Sequence, residues 1–230
     1  MDTKLSGRSK RRVLALAAAG ALWLAMGTSS AHALIFTLNQ DGCTGGCGFG
    51  STVFGTVNVV QGLDANHVDI TVNLNSPNGF VDTGAGESLE FSIAGAPAIT
   101  ITNLTSGFVV GPAPAAASTF GSFNYSIDCG GEQAGHCGKG ASAPLPGPLS
   151  FTVERTTLGA LSLVDFIGNA GGFFFVSDLL GPSGNTGNVA ARGPTVDIST
   201  VGPSAVVPEP SSLLLLGLGL AGMGLRRRGT

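Results

Sequence analysis

Basic residues are almost absent from the middle of this 230-residue sequence. Five of the eleven Lys and Arg side chains precede Ala33, three end the chain, and only Lys139, Arg155 and Arg192 lie between them. Residues 34–206 also contain twelve Asp and Glu, so this part of the chain carries a net charge of −9. Because phosphate contacts require Lys and Arg, the charge disfavours nucleic acid and anionic lipid as partners, and it permits cation binding.

The common catalytic motifs are also missing. The sequence contains no G-x-S-x-G, no H-E-x-x-H and no P-loop. A G-x-G-x-x-G match at 217–222 lies inside an apolar run rather than after a strand, which excludes a dinucleotide site. Paired carboxylates of a hydrolase can come from distant strands. However, acids such as Asp69 and Glu90 occupy alternating polar positions, which predicts solvated strand faces. We therefore expect neither enzymatic activity nor a cofactor.

Tryptophan and tyrosine are scarce, with one of each against thirteen Phe. Trp23 lies near the N-terminus, which leaves Tyr125 for the rest of the chain. Sugar-binding surfaces favour exposed Trp and Tyr because these rings are amphipathic, so the composition weakens a lectin interpretation. The run Phe173–Phe175 is instead predicted to fill the core.

Neither hydrophobic run reaches the roughly 20 residues of a comfortable membrane span. The first, Val13–Met26, follows a basic stretch and precedes Ala31-His32-Ala33. This order is typical of a secretory signal peptide, here residues 1–33, with cleavage after Ala33 directed by Ala31 and Ala33. An uncleaved N-terminal anchor is the alternative. The mature chain is expected to begin at Leu34.

Four cysteines remain after that cleavage: Cys43, Cys47, Cys129 and Cys137. In an exported protein they should form disulfides, and four cysteines allow three connectivities. Proximity favours Cys43–Cys47 and Cys129–Cys137. His136 lies beside Cys137, so a Cys/His zinc site is the alternative, although no paired C-x-x-C is present. The other histidine of this region, His67, is predicted to be a surface residue.

The clearest structural pattern lies at 67–74, where Val68, Ile70, Val72 and Leu74 alternate with polar residues. This period of two predicts a strand with one buried face. Asn78-Gly79 follows as a turn signal. Further strands are predicted at 34–39, 51–61, 88–94, 98–104, 119–127, 149–155, 172–180 and 195–200.

Many short strands separated by Gly, Pro, Asn and Ser predict an all-β fold. We expect a single β-sandwich or jelly-roll-like domain at 34–198, flanked by an N-terminal signal helix and a C-terminal apolar helix. Residues 156–169 are predicted to form one or two helical turns. Gly111–Ala117 and Ala143–Pro148 are predicted to be loops because proline blocks ladder hydrogen bonds.

One loop has the composition of a calcium site. Asp82-Thr83-Gly84-Ala85-Gly86-Glu87 supplies the hard oxygen ligands that calcium prefers. The sequence has no D-x-[DN]-x-[DN]-G loop, so calcium stays an alternative, and no metal is assigned.

The last residues form a tripartite tail that follows a linker at 199–206. Pro208-Glu209-Pro210 is stiff and extended, because each proline restricts its own φ and the residue before it. An apolar helix is predicted at 211–225, and Arg226, Arg227 and Arg228 follow as a cytoplasmic stop. These features alone do not distinguish a temporary hold during export from a permanent anchor.

Residues 207–230 resemble the PEP-CTERM sorting signal, which exosortase, a membrane-embedded transpeptidase-like enzyme, recognises in Gram-negative bacteria that make extracellular polysaccharide. The resemblance implies that Pro208, Glu209 and Pro210 are the recognition motif and that Arg226–Arg228 are the stop. It implies exosortase and the export machinery as partners, extracellular polysaccharide as an attachment, and a transient or stable membrane contact through 211–225.

Together these patterns predict an exported, non-enzymatic protein of the cell surface or extracellular matrix, with a membrane-bound precursor. A carbohydrate- or calcium-binding surface module is the alternative, followed by a secreted hydrolase.

Overall fold

The computed structural model describes residues 33–50, 52–62, 64–130, 136–157 and 159–197. Residues 1–32 lie outside the described residues. Both predicted terminal helices, Ala31, the linker at 199–206 and the tail at 207–230 also lie outside them. Within the described ranges, no helix is long and apolar enough to cross a membrane.

The described residues form β-strands and one turn of 3-10 helix at Leu163–Asp165. The strands are β1 (Ala33–Leu38), β2 (Gln40–Asp41), β3 (Gly55–Gln61), β4 (His67–Leu74), β5 (Gly79–Asp82), β6 (Leu89–Phe91), β7 (Ile99–Thr102), β8 (Val109–Val110), β9 (Ala115–Ala117), β10 (Gly121–Phe123), β11 (Tyr125–Asp128), β12 (Gly140–Leu145), β13 (Leu149–Arg155), β14 (Phe175–Leu180), β15 (Thr186–Ala191) and β16 (Pro194–Asp197). The prediction of an all-β fold is therefore confirmed.

Two large sheets form a sandwich, and their named strand pairs are antiparallel. The first sheet has the order β16-β1-β3-β4-β13-β7. The second has the order β12-β5-β14-β6-β11-β8, with β15 paired to β14 and β2 paired to β15. A separate hairpin, β9-β10, forms its own two-stranded sheet.

Alternating apolar and polar residues explain the strand pairing in the first sheet. Val68, Ile70 and Val72 of β4 are fully buried, whereas Asp69 between them is exposed. The predicted strands at 67–74 and 149–155 have the boundaries expected from the sequence, and they pair in register from Leu149↔Val72 to Glu154↔His67. One buried face on each strand thus determines how they pair.

The main core lies between the two sheets and is rich in phenylalanine. Phe91 of the second sheet lies 5.9 Å, between ring centroids, from Phe151 of the first. A smaller core lies on the other face of the second sheet: Ala117, Phe120, Phe123, Val176 and Ala190. Strand β14 is therefore covered on both faces. The predicted core role of Phe173–Phe175 agrees with this packing, because Phe175 is buried and its two neighbours pack against the cores.

Some predicted loops are strands. The segments 111–117 and 143–148 contain β9 and the end of β12. Proline is tolerated in β12 because this strand lies at the edge of its sheet, where a missing N–H breaks no second ladder. The predicted helix at 156–169 is limited to the single 3-10 turn, which ends at Phe166 in extended conformation.

Both favoured disulfides are present. Cys43 pairs with Cys47 and Cys129 with Cys137, with Cα–Cα distances of 5.4 and 5.3 Å. Asp41 lies close to the first pair, with ligand-type atoms of the three side chains within 4.8 Å of one another. Its carboxylate accepts the amides of Cys43, Cys47 and Gly48, and the disulfide sulfurs are not thiolates that could bind zinc. Asp41 therefore stabilises the loop that contains the Cys43–Cys47 disulfide.

Candidate functional site

Five carboxylates gather around the second sheet. We call Asp82, Glu87, Glu90, Asp128 and Asp178 the acidic cluster. Asp82 ends β5, Glu90 lies in β6, Asp128 ends β11 and Asp178 lies in β14, whereas Glu87 belongs to the loop before β6. Asp82 and Asp128 both approach Gly130, and hydrogen bonds join Asp178 to Thr83 and Glu90 to Glu87, so the five carboxylates lie around the loop at 82–88.

Glu90 and Asp178 are buried completely, with 0% of each residue exposed. The strand register places Val176 opposite Glu90 and Asp178 opposite Asn188, which is 1% exposed. The expectation that Glu90 lies on a solvated strand face is therefore wrong. The smaller core and the loop at 82–88 cover the face of the sheet on which Glu90 lies. The side chains on this face are therefore buried even though they alternate with those of the main core.

The loop at 82–88 is tied to the buried acids by hydrogen bonds. The Thr83 amide donates to Asp178 Oδ2 at 2.9 Å, and the Thr83 hydroxyl donates to the same oxygen. The Glu87 amide donates to Glu90 Oε1 at 3.0 Å. In return, the Glu87 carbonyl accepts the Asp178 amide at 2.9 Å. The loop with the composition of a calcium site thus lies directly against Glu90, which follows it in the sequence, and against Asp178, which is distant.

Two glycines allow this close approach. Gly84 has a φ of +75°, which glycine adopts at little cost. A Cβ on Gly86 would lie 2.6 Å from Asn188 Oδ1 and 2.9 Å from Glu90 Oε1. The Asn188 amide and the Glu90 carboxylate therefore meet at the backbone of the loop.

Asp82 and Asp128 converge on a third glycine. A Cβ on Gly130 would lie 2.5 Å from Asp82 Oδ2 and 2.9 Å from Asp128 Oδ2. The Gly130 amide donates to Asp128 Oδ1 at 2.9 Å. The adjacent Cys129–Cys137 disulfide and the bridge between Asp82 and Lys139 hold these segments together.

Three members of the cluster have a raised pKa, and burial is the largest cause in each. Burial, followed by the charges of Asp128 and Asp82, raises the pKa of Glu87 to about 7. Burial also raises the pKa of Glu90 to about 7, against the opposing effect of the Glu87 amide, and the pKa of Asp178 to about 6. Among the described residues, the ion pairs are those of His67, so no Lys or Arg neutralises the cluster.

These pKa values predict that acid stabilises the cation-free protein. The folded state holds protons on Glu87, Glu90 and Asp178 that the unfolded state releases, so stability rises as pH falls from about 8 to about 5. We expect a gain of about 4 kcal/mol in unfolding free energy from Glu90 and Asp178 alone, measured by urea titration of the full chain in EDTA. The Glu90→Gln/Asp178→Asn double variant should lose most of this dependence, whereas Asp69→Asn should retain it. Equal dependence in both variants would contradict the prediction.

The two described histidines lie outside the acidic cluster. His67 lies on the polar face of β4, as predicted, with Nδ1 3.4 Å from Asp64 and Nε2 3.3 Å from Glu154. His136 stands beside the Cys129–Cys137 disulfide. Neither histidine belongs to the acidic cluster.

Two surface clefts lie elsewhere. A polar cleft of about 640 Å³ is lined by residues that include Asn66, Glu154 and Arg155. An apolar groove of about 300 Å³ includes Ile99, Val110 and Tyr125 among its lining residues. The Tyr125 hydroxyl donates to the Pro97 carbonyl, so this polar group is already engaged within the fold. No member of the acidic cluster lines either cleft.

Comparison with protein families decides the nature of the tail. Residues 206–228 match the family model of the PEP-CTERM protein-sorting motif. The chain carries a PEP-CTERM sorting signal. No curated protein and no solved structure matches the chain.

The PEP-CTERM match includes Pro208, Glu209 and Pro210 and the three arginines at 226–228, all of which lie outside the described residues. The motif indicates an exported, membrane-processed surface protein and implies processing by exosortase. Because the match covers only the tail, it assigns no activity to the β-sandwich.

Sequence reasoning missed Asp178 and Asn188 as members of a site. Their strands, β14 and β15, are buried on both faces, so neither shows a clean period of two. The available signal was Asp and Asn within small or apolar runs, in Phe175–Leu180 and Thr186–Ala191. Buried polar residues of this kind require partners, which makes them candidates for a site.

Proposed function

We propose that the PEP-CTERM protein is a non-enzymatic component of the cell surface or extracellular matrix of a Gram-negative bacterium. After export, exosortase acts on the tail, and the β-sandwich stays associated with extracellular polysaccharide. The PEP-CTERM match at 206–228 is the observation that carries this proposal.

The termini of the sandwich are suited to processing at both ends. Leu34 of β1 pairs with Asp197 of β16, so the predicted signal cleavage and the tail-bearing linker meet at neighbouring strands. Cleavage after Ala33 removes only the first residue of β1 and leaves the pairing from Leu34 to Leu38 with β3 in place. Processing at these sites therefore leaves the core strands intact.

The position of the acids supports a non-enzymatic role. A glycoside hydrolase needs two carboxylates that flank the substrate bond. Glu90 and Asp178 are buried completely, and the two described clefts contain no member of the acidic cluster. A calcium-binding surface module is the second candidate, and the acidic cluster is the observation that favours it.

Replacement of Pro208-Glu209-Pro210 by three alanines should abolish tail processing, because the stiff recognition motif is lost. We expect intact mass measurements on membrane, surface and medium fractions to find a wild-type chain that begins at Leu34 and ends near Pro208–Pro210. The alanine variant should keep Thr230 and accumulate in the membrane.

The matched control is Pro203→Ala, which removes a linker proline outside the PEP-CTERM match and should be processed like the wild type. A wild-type protein that retains Arg226–Thr230 in the membrane would make the tail a permanent anchor and would contradict the proposal. Processing of the alanine variant would show that this motif is not what the enzyme recognises.

A further inference from the structure

Strand β7 ends the first sheet, where its neighbour among the described strands is β13. The register pairs Arg155 with Ile99, so the next pair is Thr156 with Ala98, and the Thr156 amide donates to the Ala98 carbonyl. Hydrogen-bonded and non-hydrogen-bonded pairs alternate along an antiparallel ladder. The backbone N–H and C=O groups of Ile99 and Ile101 therefore point away from β13, towards the edge of the sheet.

Four strands end the two sheet orders, and three of them carry features that discourage a further strand. Strand β16 begins with Pro194 and ends with Asp197, strand β12 contains Pro144, and strand β8 has only two residues. Proline removes a backbone donor, and charges and very short strands also protect an edge from pairing. Strand β7 has the sequence Ile-Thr-Ile-Thr and contains neither proline nor charge. Of these four edges, it is the one best suited to pairing.

The distribution of charge favours a second copy of this chain as the partner of β7. Residues 91–127 contain no Asp, Glu, Lys, Arg or His, although residues 34–206 carry a net charge of −9. Two such domains repel each other, but an uncharged edge allows them to approach. Glu154 of β13 lies opposite Thr100. In a paired sheet it would lie about three strand spacings, roughly 14 Å, from its counterpart, which exceeds the Debye length at physiological salt.

One face of β7 opens on the apolar groove of about 300 Å³. Ile99 and Ile101 line this groove and are half-buried against the main core. Val110 of β8 also lines it, with 58% of the residue exposed. Thr100 and Thr102 alternate with the isoleucines and are exposed on the outer face of the sheet. A strand added to β7 would place alternate side chains beside the isoleucines, where burial of apolar surface stabilises the pairing.

We propose that two copies of this protein associate through antiparallel pairing of their β7 strands, around a two-fold axis at Thr100. This register places Ile99 opposite Ile101 of the second copy, and the symmetry repeats the pair. Each such pair exchanges two N–H···O=C bonds through the outward backbone groups. The isoleucines of both copies then share one face, and Thr100 lies opposite its own counterpart on the other face.

The two neighbouring registers satisfy fewer backbone groups. A two-fold axis at Ile99 would place Pro97 opposite Ile101, and proline has no N–H to donate. An axis at Ile101 would place Asn103 opposite Ile99, and Asn103 has a φ of +53°, which ends the extended conformation. The axis at Thr100 is therefore the register that uses the outward groups of both isoleucines.

Disulfide trapping in the full chain, in mild detergent, tests the two-fold pairing. The four native cysteines form the two disulfides, so an introduced cysteine is the only free thiol. For so short a pairing we expect a Kd on the order of 10–100 µM, and the protein is used in this range. Thr100→Cys should form an inter-chain disulfide on mild oxidation. Non-hydrogen-bonded neighbours have Cα atoms about 4.5 Å apart, which a disulfide can span. Intact mass and non-reducing electrophoresis measure the cross-linked fraction.

The matched control is Thr102→Cys, which places the thiol on the same strand and the same face. It lies two residues from the axis, so its Cα would be about 14 Å from its counterpart. We expect at least about tenfold less cross-linked dimer, because a disulfide cannot span this distance. Both variants share the same detergent micelles, so proximity within a micelle affects them equally.

Ile101→Pro, added to Thr100→Cys, separates strand pairing from chance collision. The Ile101 N–H points away from β13, so proline leaves that ladder in place and removes a donor to the second copy. We expect cross-linking to fall at least fivefold, with an unchanged circular dichroism spectrum. Ile101→Lys replaces the proline variant if the latter does not fold, since a charge at the edge also opposes pairing.

Three results would overturn the two-fold pairing: no cross-linked dimer with Thr100→Cys, equal cross-linking with Thr102→Cys, or undiminished cross-linking in the double variants. A disulfide between the Thr100→Cys variant and a different protein would show that another strand occupies the edge, and it would overturn the proposal as well. None of these results affects sorting through the PEP-CTERM tail. Failure of tail processing would likewise leave the pairing of β7 unchanged.

Discussion

We expect Phe91→Ala to lower the free energy of unfolding by about 3–5 kcal/mol, the cost of removing a large side chain from a packed core. Phe91 is 0% exposed. Its ring centroid lies 5.5 Å from that of Tyr125, 5.9 Å from Phe151 and 6.3 Å from Phe175. Since Phe151 belongs to the first sheet and Phe175 to the second, the alanine leaves a cavity where the sheets meet.

Urea unfolding of the full chain, followed by circular dichroism, measures this loss. The matched control is Phe49→Ala, because Phe49 is 76% exposed and its removal should cost less than about 0.5 kcal/mol. Similar losses for the two variants would mean that the aromatic core between the sheets does not stabilise the fold as described.

The second large effect is expected from Gly181→Ala, at about 3 kcal/mol. A Cβ on Gly181 would lie 2.1 Å from the Cys47 carbonyl oxygen and 2.7 Å from the Cys47 carbonyl carbon. The Cys47 backbone cannot easily move away. It is held by the Cys43–Cys47 disulfide, and its amide donates to Asp41 at 2.9 Å. The added methyl group must therefore displace the turn after β14.

Gly193→Ala provides the control, because a Cβ there meets no heavy atom within 4 Å. Thermal unfolding of both variants should show a Tm about 6–12 °C lower for Gly181→Ala, and little change for Gly193→Ala. Reduction of the disulfides should narrow the difference, since the Cys43–Cys47 loop could then yield. An unchanged Tm in Gly181→Ala would contradict the close contact.

Strands with one buried face were predictable. The alternating pattern at 67–74 predicted the boundaries of β4, and the strand predicted at 149–155 has the boundaries of β13. Each of these strands has one face in the core and one in water. The local disulfides were predictable for a related reason. Cysteines four and eight residues apart meet without help from the rest of the fold.

Strands covered on both faces were harder to predict. The sequence Thr186–Ala191 lacks alternation because β15 is buried almost throughout, and it was not predicted as a strand. Glu90 was assigned to a solvated face for the opposite reason: the alternation is present, but the outer face of its strand is covered. The period of two shows which side chains share a face of a strand, but it does not show whether another part of the protein covers that face.

The sorting signal and the all-β class were predictable from the amino-acid sequence, and proximity favoured the two disulfides that form, because each depends on residues that are close together along the chain. The clustering of Asp82, Glu87, Glu90, Asp128 and Asp178 could not be predicted in this way. Five segments that span almost a hundred residues come together there, through cross-strand pairs such as Asp178↔Asn188. These carboxylates become buried and approach one another only when the sheets fold and the loop at 82–88 packs against them.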